Sequence, residues 1–259
     1  MNAAMPFLQA EAIVAMTNAF SRLEAAIAPP QQVPCKDSFV YRYTNKGLHE
    51  ALVQKLARCI SGLNAVVLLL SAGYVQEVGV ILRTLDEIQE DILFLASAVA
   101  NVAPMERHEK YLEAFYAEAV FSRPEGSLDT PKPNLVPRKK IRAHTANVLG
   151  EGANVSQFLS AGESLSAAYS GYVHAASENI MDMYGGNPPH FHVNGMHGTP
   201  RIATFAREAE NYVYRGLMAT AVAAMAFGDR PLVDALNAFL IRYESANGHR
   251  PPGTGKAGS

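Results

Sequence analysis

From Tyr74 to about Val102, apolar residues return every three or four positions, at Val78, Ile81, Leu82, Leu85, Ile88, Ile92, Leu95 and Val99. That period belongs to an α-helix with one buried face, not to a strand, which alternates every second residue. The opposite face carries Gln76, Arg83, Glu87, Glu90 and, less centrally, Asp91, with Val80 and Phe94 falling among these charges. Apolar side chains on both sides suggest a central helix whose charges are partly enclosed; the alternative is a solvated face carrying helical ion pairs. An enclosed charge must find a partner or cost stability, so other helices have to surround this one.

The remaining chain supplies them. Pro6 to Ala28 has its own apolar stripe and stops at Pro29-Pro30. Further helices are predicted at Leu48 to Leu70, Pro104 to Phe121, Arg138 to Leu149, Ser156 to Tyr184, Pro200 to Phe227 and Pro231 to Ser245. Strand signals are few. One, the short aromatic stretch Phe39 to Tyr43, follows a Pro/Gln linker and has strand or loop character. The other is His190 to His197, where Asn194-Gly195 between short alternating arms predicts a hairpin turn. Ser122 to Pro137 is proline-rich and reads as a loop, and Asn247 to Ser259 reads as a disordered tail. The expected fold is all-α, a single helical bundle of about eight helices over residues 1–246, with a small β-hairpin insertion near residues 190–197 and a tail at 247–259.

With 259 residues, 49% of them hydrophobic, the chain has enough apolar surface for a core. Its net charge of −2 excludes a global basic field, so no extended nucleic-acid surface is expected. The basic cluster Arg138, Lys139, Lys140 and Arg142 reads first as a solvated first turn after Pro137, with a phosphate contact as the alternative. Cys35 and Cys59 show no metal-binding spacing and no secretory signal precedes them, which points to a reducing cytoplasm. The most apolar run, Leu63 to Val75, falls short of the roughly 20 residues a spanning helix needs, so no membrane partner is expected. The chain has no P-loop, no GxGxxG, no GxSxG and no Glu-x-x-His, and no cofactor is expected.

Polar residues nonetheless gather at helical spacings. Arg83, Glu87 and Asp91 follow one another at i, i+4, and Arg107 and Tyr111 share a face of the next helix, beside His108. Later, Tyr169 and His174 lie in a segment where Ala167, Ser170, Gly171 and Ser177 are small enough to admit a second backbone or a ligand. Packing of the helix bearing Arg83 and Glu87 against the one bearing His174 is predicted, giving a cluster of Arg83, Glu87, Asp91, Arg107, Tyr111, Tyr169 and His174. Separately, His190, His192 and His197 offer three imidazoles to zinc or another divalent metal if the hairpin register brings them together.

The motifs Arg83-x3-Glu87, Arg107-x3-Tyr111 and Tyr169-x4-His174 resemble a group of uncharacterised bacterial all-helical proteins, domains of unknown function, over roughly residues 60 to 185. A looser likeness connects them to the HEPN superfamily of helical bundles. That likeness implies metal-independent ribonuclease chemistry in toxin or phage-defence systems, using an Arg-x4-6-His motif. Arg42-x6-His49 and Arg138-x5-His144 fit that spacing, and Arg83 with His174 would assemble the same chemistry across helices, imidazole moving the proton and guanidinium stabilising phosphorane charge. Two functions are therefore expected. The first is a ligand-binding or protein-interaction module whose polar cluster binds a small molecule or stabilises a homodimer. The alternative is a ribonuclease-like effector acting on RNA. The lack of a specific catalytic motif places the binding module first.

Overall fold

A computed structural model describes residues 4–35, 38–100, 105–117, 135–149 and 167–246. Its helices are α1 (Ala4–Glu24), α2 (Leu48–Ser71), α3 (Val75–Ala100), α4 (Glu106–Tyr116), α5 (Arg138–Leu149), α6 (described over 167–173), α7 (Ser177–Met181), α8 (Pro200–Ala226) and α9 (Arg230–Ala246). Two antiparallel ribbons accompany them, β1 (Gln31–Cys35) with β2 (Ser38–Arg42), and β3 (Tyr184–Gly185) with β4 (His190–Phe191). The fold is the expected all-α bundle with a small hairpin insertion.

The apolar stripe places α3 at the centre. It packs most extensively against α2 and α8, while α5 lies along its acidic side and α1 and α9 close the outside of α8. Leu82, Leu85, Ile92 and Leu95 are completely buried, each worth about 1.5–3 kcal/mol relative to exposure. Close approach is set by Gly216 of α8. A Cβ there would stand 2.8 Å from Leu63 of α2 and 3.2 Å from Met16 of α1, so three helices meet where one has no side chain. Phe94, on the charged side of α3, is also fully buried, whereas Val80 stays at the surface. The second helix, α2, is long and apolar enough by length and composition to cross a membrane. Here it packs on α1, α3 and α8 and buries ten residues.

The helix predicted over Ser156 to Tyr184 is broken. Its part before residue 167 lies outside the described residues, and the rest stops after 173. Ala175 takes φ 50° and the Ala176 N–H donates to Gly171 O at 2.9 Å, a left-handed closure that usually takes glycine. Alanine hides it from the sequence. The chain then returns as α7 onto the small residues of α6: a Cβ at Gly171 would lie 1.8 Å from Asn179 Oδ1. Asn179 O also accepts from Gln76 of α3 at 2.7 Å, tying the return to the central helix.

The hairpin forms one turn earlier than Asn194-Gly195. Tyr184 pairs with Phe191 and Gly185 with His190, leaving Gly186 to Pro189 as the connection. Consecutive prolines cannot extend a ladder, so the turn falls on them. Asn194 and Gly195 form a later turn instead, where Met196 N–H donates to Gly73 O at 2.8 Å and anchors it to the α2–α3 junction. The aromatic stretch at Phe39 is likewise a strand, paired with a segment whose glutamines and Pro34 read as linker. The predicted tail, residues 122–134 of the predicted loop and residues 118–121 of the helix predicted over Pro104 to Phe121 lie outside the described residues.

The closure after α6 is testable. Replacing Ala175→Gly removes the Cβ penalty of the left-handed conformation, partly offset by glycine's extra entropy in the unfolded chain, and should stabilise the protein by about 0.5–1 kcal/mol. Urea unfolding reads this directly, and a lower midpoint would contradict the geometry.

Candidate functional site: a buried charge network beside the α4–α5 cleft

Asp86, Glu90 and Asp91 of α3 are 1%, 9% and 5% exposed, and each is met by a cation from another helix. Arg138 of α5 bridges Asp91 and Glu90 and donates to Glu87 O at 3.0 Å. One turn on, Arg142 donates from Nε to Glu90 at 2.6 Å. From α8, Arg215 reaches Asp86 at 2.6 Å, with its guanidinium 4.8 Å from the Tyr212 ring centre. From α2, Lys55 pairs with Asp91 at 2.8 Å. The first turn of α5 is therefore not simply solvated as predicted. Arg138 and Arg142, at i, i+4, form its inward face, while Lys139 and Lys140 are exposed. Burial opposes the charge on Arg138, but Asp91 and Glu90 outweigh it and hold its pKa above the ordinary guanidinium value. Four cations share three carboxylates, and Arg138 Nε, Arg142 Nη2 and Arg215 Nη1 are buried without a hydrogen-bond partner.

The residues singled out from sequence divide into those this network takes and those it does not. Asp91 belongs to it, and Tyr111 of α4 lies beside Asp91, where burial and then that carboxylate push its phenol pKa well up. Arg83 and Glu87 pair with each other at 2.7 Å, but the Glu87 side chain is 42% exposed, so theirs is a surface-type helical pair. Arg107 contacts His144. Tyr169 joins an aromatic group with Tyr172, Phe205 and Tyr212 at ring separations of 6.1–6.5 Å. His174 is exposed beyond the end of α6, and no hydrogen bond, ion pair or ring contact joins it to Arg83. The two helices do meet, through Gly79 and the Tyr172 ring, where a Cβ on the glycine would be 2.7 Å from Tyr172 Cγ.

The three hairpin histidines do not assemble. His190 and His192 have ring centres 4.4 Å apart, whereas His197 lies beyond the next turn, against Gly73. Among the described residues no group of three or more His, Cys, Asp or Glu is placed to hold a metal ion.

A second polar centre, not anticipated, links α3, α4 and α5. Ser97 Oγ donates to Phe94 O at 2.6 Å. Its one proton is thus committed, so the two imidazole nitrogens beside it must donate: His144 Nε2 at 2.8 Å and His108 Nε2 at 3.3 Å. Both Nδ1 atoms are then acceptors. His108 Nδ1 receives the Met105 N–H at 3.1 Å, and His144 Nδ1 receives Arg107 Nη1 at 3.3 Å. The Phe94 ring lies 4.4 Å from one imidazole and 5.4 Å from the other. The arrangement suits two neutral histidines. Burial and the neighbouring His144 lower His108 to about 4, and burial and Arg107 lower His144. No spacing in the sequence relates these residues, because each comes from a different helix or a different face.

These groups border open space. A cavity of about 380 Å³ between α4 and α5 is lined by Lys55, Asp91, Tyr111 and Arg138 together with Phe115 and Ile141. Across Leu135, Val136 and Pro137 it adjoins a groove of about 630 Å³ bordered by Arg107, Lys110 and Lys140. No protein-family model, curated protein or solved structure matches the chain.

Asp86 is the carboxylate Arg215 pairs with and also stands 3.7 Å from Arg142, so removing it leaves a buried cation unpaired and Asp86→Ala should cost about 3–5 kcal/mol. Glu87→Ala, which breaks only a surface-type pair, should cost under about 1 kcal/mol. Denaturant titrations giving equal losses would refute the distinction. A pH dependence also follows. The unfolded chain protonates His108 near pH 6.5 and the folded chain resists until about 4, so this contribution is complete above pH 6.5 and is lost as pH falls. Stability should drop by up to about 1.4 kcal/mol per pH unit below 6.5 on account of His108. His108→Asn, which keeps an acceptor for the Met105 N–H but does not titrate, should flatten the profile between pH 6.5 and 5. An unchanged slope would show that His108 is not its source.

Proposed function

We propose that the chain is a helical ligand-binding module whose site is the α4–α5 cleft, with the buried charge network as its floor. The observation that supports this is the cavity beside Asp91. Its volume of about 380 Å³ falls in the range of small-molecule sites, and it combines an apolar wall with a few convergent polar groups, the usual make-up of such a site. Tyr111 and Asp91 supply the polar groups. Phe115 and Ile141 supply the wall. In this reading the network's task is to hold α5 in place beside α4, because a cleft between helices is only as well formed as their packing. A reducing cytoplasm and a homodimer are part of the same proposal.

The ribonuclease-like reading has less behind it. Arg83 is committed to Glu87, His174 stands apart, and in the Arg138-x5-His144 pair the arginine is engaged with carboxylates and the imidazole with Ser97 and Arg107. A general acid–base pair has to reach its substrate.

An NMR screen of small uncharged aromatic fragments tests the proposal. Shift changes grouped on Tyr111, Phe115 and Ile141 are expected. Fragments that bind elsewhere, or none that bind, would defeat it. Incubating the protein with RNA is expected to give no products; cleavage lost in a well-folded His144→Ala variant would instead favour the nuclease.

A further inference from the structure

The groove adjoining that cavity has a charge distribution the bundle itself does not use. Arg107 and Lys110 reach it from α4 and Lys140 from α5, and all three are exposed. Among the described residues bordering it, Glu106 is the one carboxylate, paired with Lys110 at 2.6 Å through a side chain 79% exposed. Arg107 spends one N–H on a neutral imidazole, which orients the guanidinium without neutralising it. Lys140 has no ion pair among the described residues.

Of these cations, Arg107 and Lys140 have no carboxylate partner among the described residues. Helix α5 begins with Arg138, Lys139 and Lys140 and has no acid in its first turn, although the N-terminal end of a helix favours negative charge. Arg138 is compensated by Asp91 and Glu90. Lys140 is not. Helix α4 also begins at this groove, with Met105, Glu106 and Arg107 on its border. Two helix starts and three exposed cations therefore surround one volume of about 630 Å³. Beside them, Leu135 is 68% and Met105 42% exposed, an apolar lip leading toward the neighbouring cavity.

We propose that this groove binds a phosphomonoester, its phosphate held between Arg107, Lys110 and Lys140 and its apolar substituent lying over Leu135, Val136 and Pro137 toward the cavity. The inference rests on the ligand-binding reading and names the class of ligand. A dianion with several oxygens suits cationic donors that two helices set around one groove. An apolar substituent of modest size covers the exposed lip.

Calorimetric titration of the full chain with phenyl phosphate, inorganic phosphate and phenol tests it. Phenyl phosphate should bind saturably and more tightly than inorganic phosphate, phenol should bind more weakly than either, and added salt should weaken the phosphate compounds. Lys140→Gln and Lys110→Gln should each reduce phenyl phosphate affinity by roughly fivefold or more, with unchanged melting temperature because both side chains lie outside the core. Affinity that ignores both substitutions, or the lack of saturable binding to wild type, would overturn the inference. If uncharged fragments still bind at Tyr111 and Phe115 while phenyl phosphate fails, only the anion site falls. If neither binds, the ligand-binding reading falls with it.

Discussion

Three carboxylates on the central helix, Asp86, Glu90 and Asp91, are shut away from water, and the fold depends on cations reaching them from α2, α5 and α8. Apolar packing alone brings α2 and α8 onto α3. It does not fix α5, a short helix with a low apolar content and two exposed lysines in its first turn. What positions α5 is the pair Arg138 and Arg142, one turn apart, inserted into the acidic row. Such pairing is no gain over well-packed apolar residues, since desolvating each charge consumes most of the attraction. Its consequence is directional: one register of α5 on α3 satisfies the charges, and a shifted register strands them.

From that register the rest of the site follows. Fixing α5 places His144 beside Ser97 and Arg107, which ties α4 to the same assembly through His108. The cleft between α4 and α5 is bounded by residues that are themselves anchored: Tyr111 by Asp91, and Arg138 by both carboxylates. Lys55, paired with Asp91, also stands 5.0 Å from the Phe115 ring centre. The exposed cations of the same two helices remain on the outer rim. The inner polar floor is thereby neutralised by its own carboxylates, whereas on the outer rim Lys110 is paired with Glu106 and Arg107 and Lys140 have no carboxylate partner among the described residues.

Much of this architecture was legible in the sequence, and the failures have identifiable causes. The 3.6-residue stripe located α3, and Phe94 among the charges pointed to enclosure, although the exposed Val80 on the same face fits the solvated alternative. Arg138 and Arg142 were misread because periodicity reports which residues share a face, not which face is buried; on a helix with few apolar residues the two arginines are themselves the buried face. Asp86 was overlooked because it sits at the margin of the apolar stripe, adjacent to Leu85, and not among the obvious charges. The break after α6 was hidden by an alanine in a glycine's conformation. The hairpin was placed one turn late because Asn-Gly outweighed the Pro-Pro that ends a ladder. Of the anticipated cluster, Asp91 and Tyr111 stand together, Arg83 and Glu87 pair at the surface, and His174 stays outside, since the small residues near it accommodate α7.

A double-mutant cycle between Arg142 and Glu90, followed by urea unfolding, tests most directly whether the buried network sets the position of α5. The two side chains are 8% and 11% exposed and hydrogen-bonded at 2.6 Å. A coupling energy of about 2 kcal/mol or more is expected, at the upper end of what contacting residues show. A value below about 0.5 kcal/mol, typical of an exposed ion pair, would mean that α5 is held by something other than its charges.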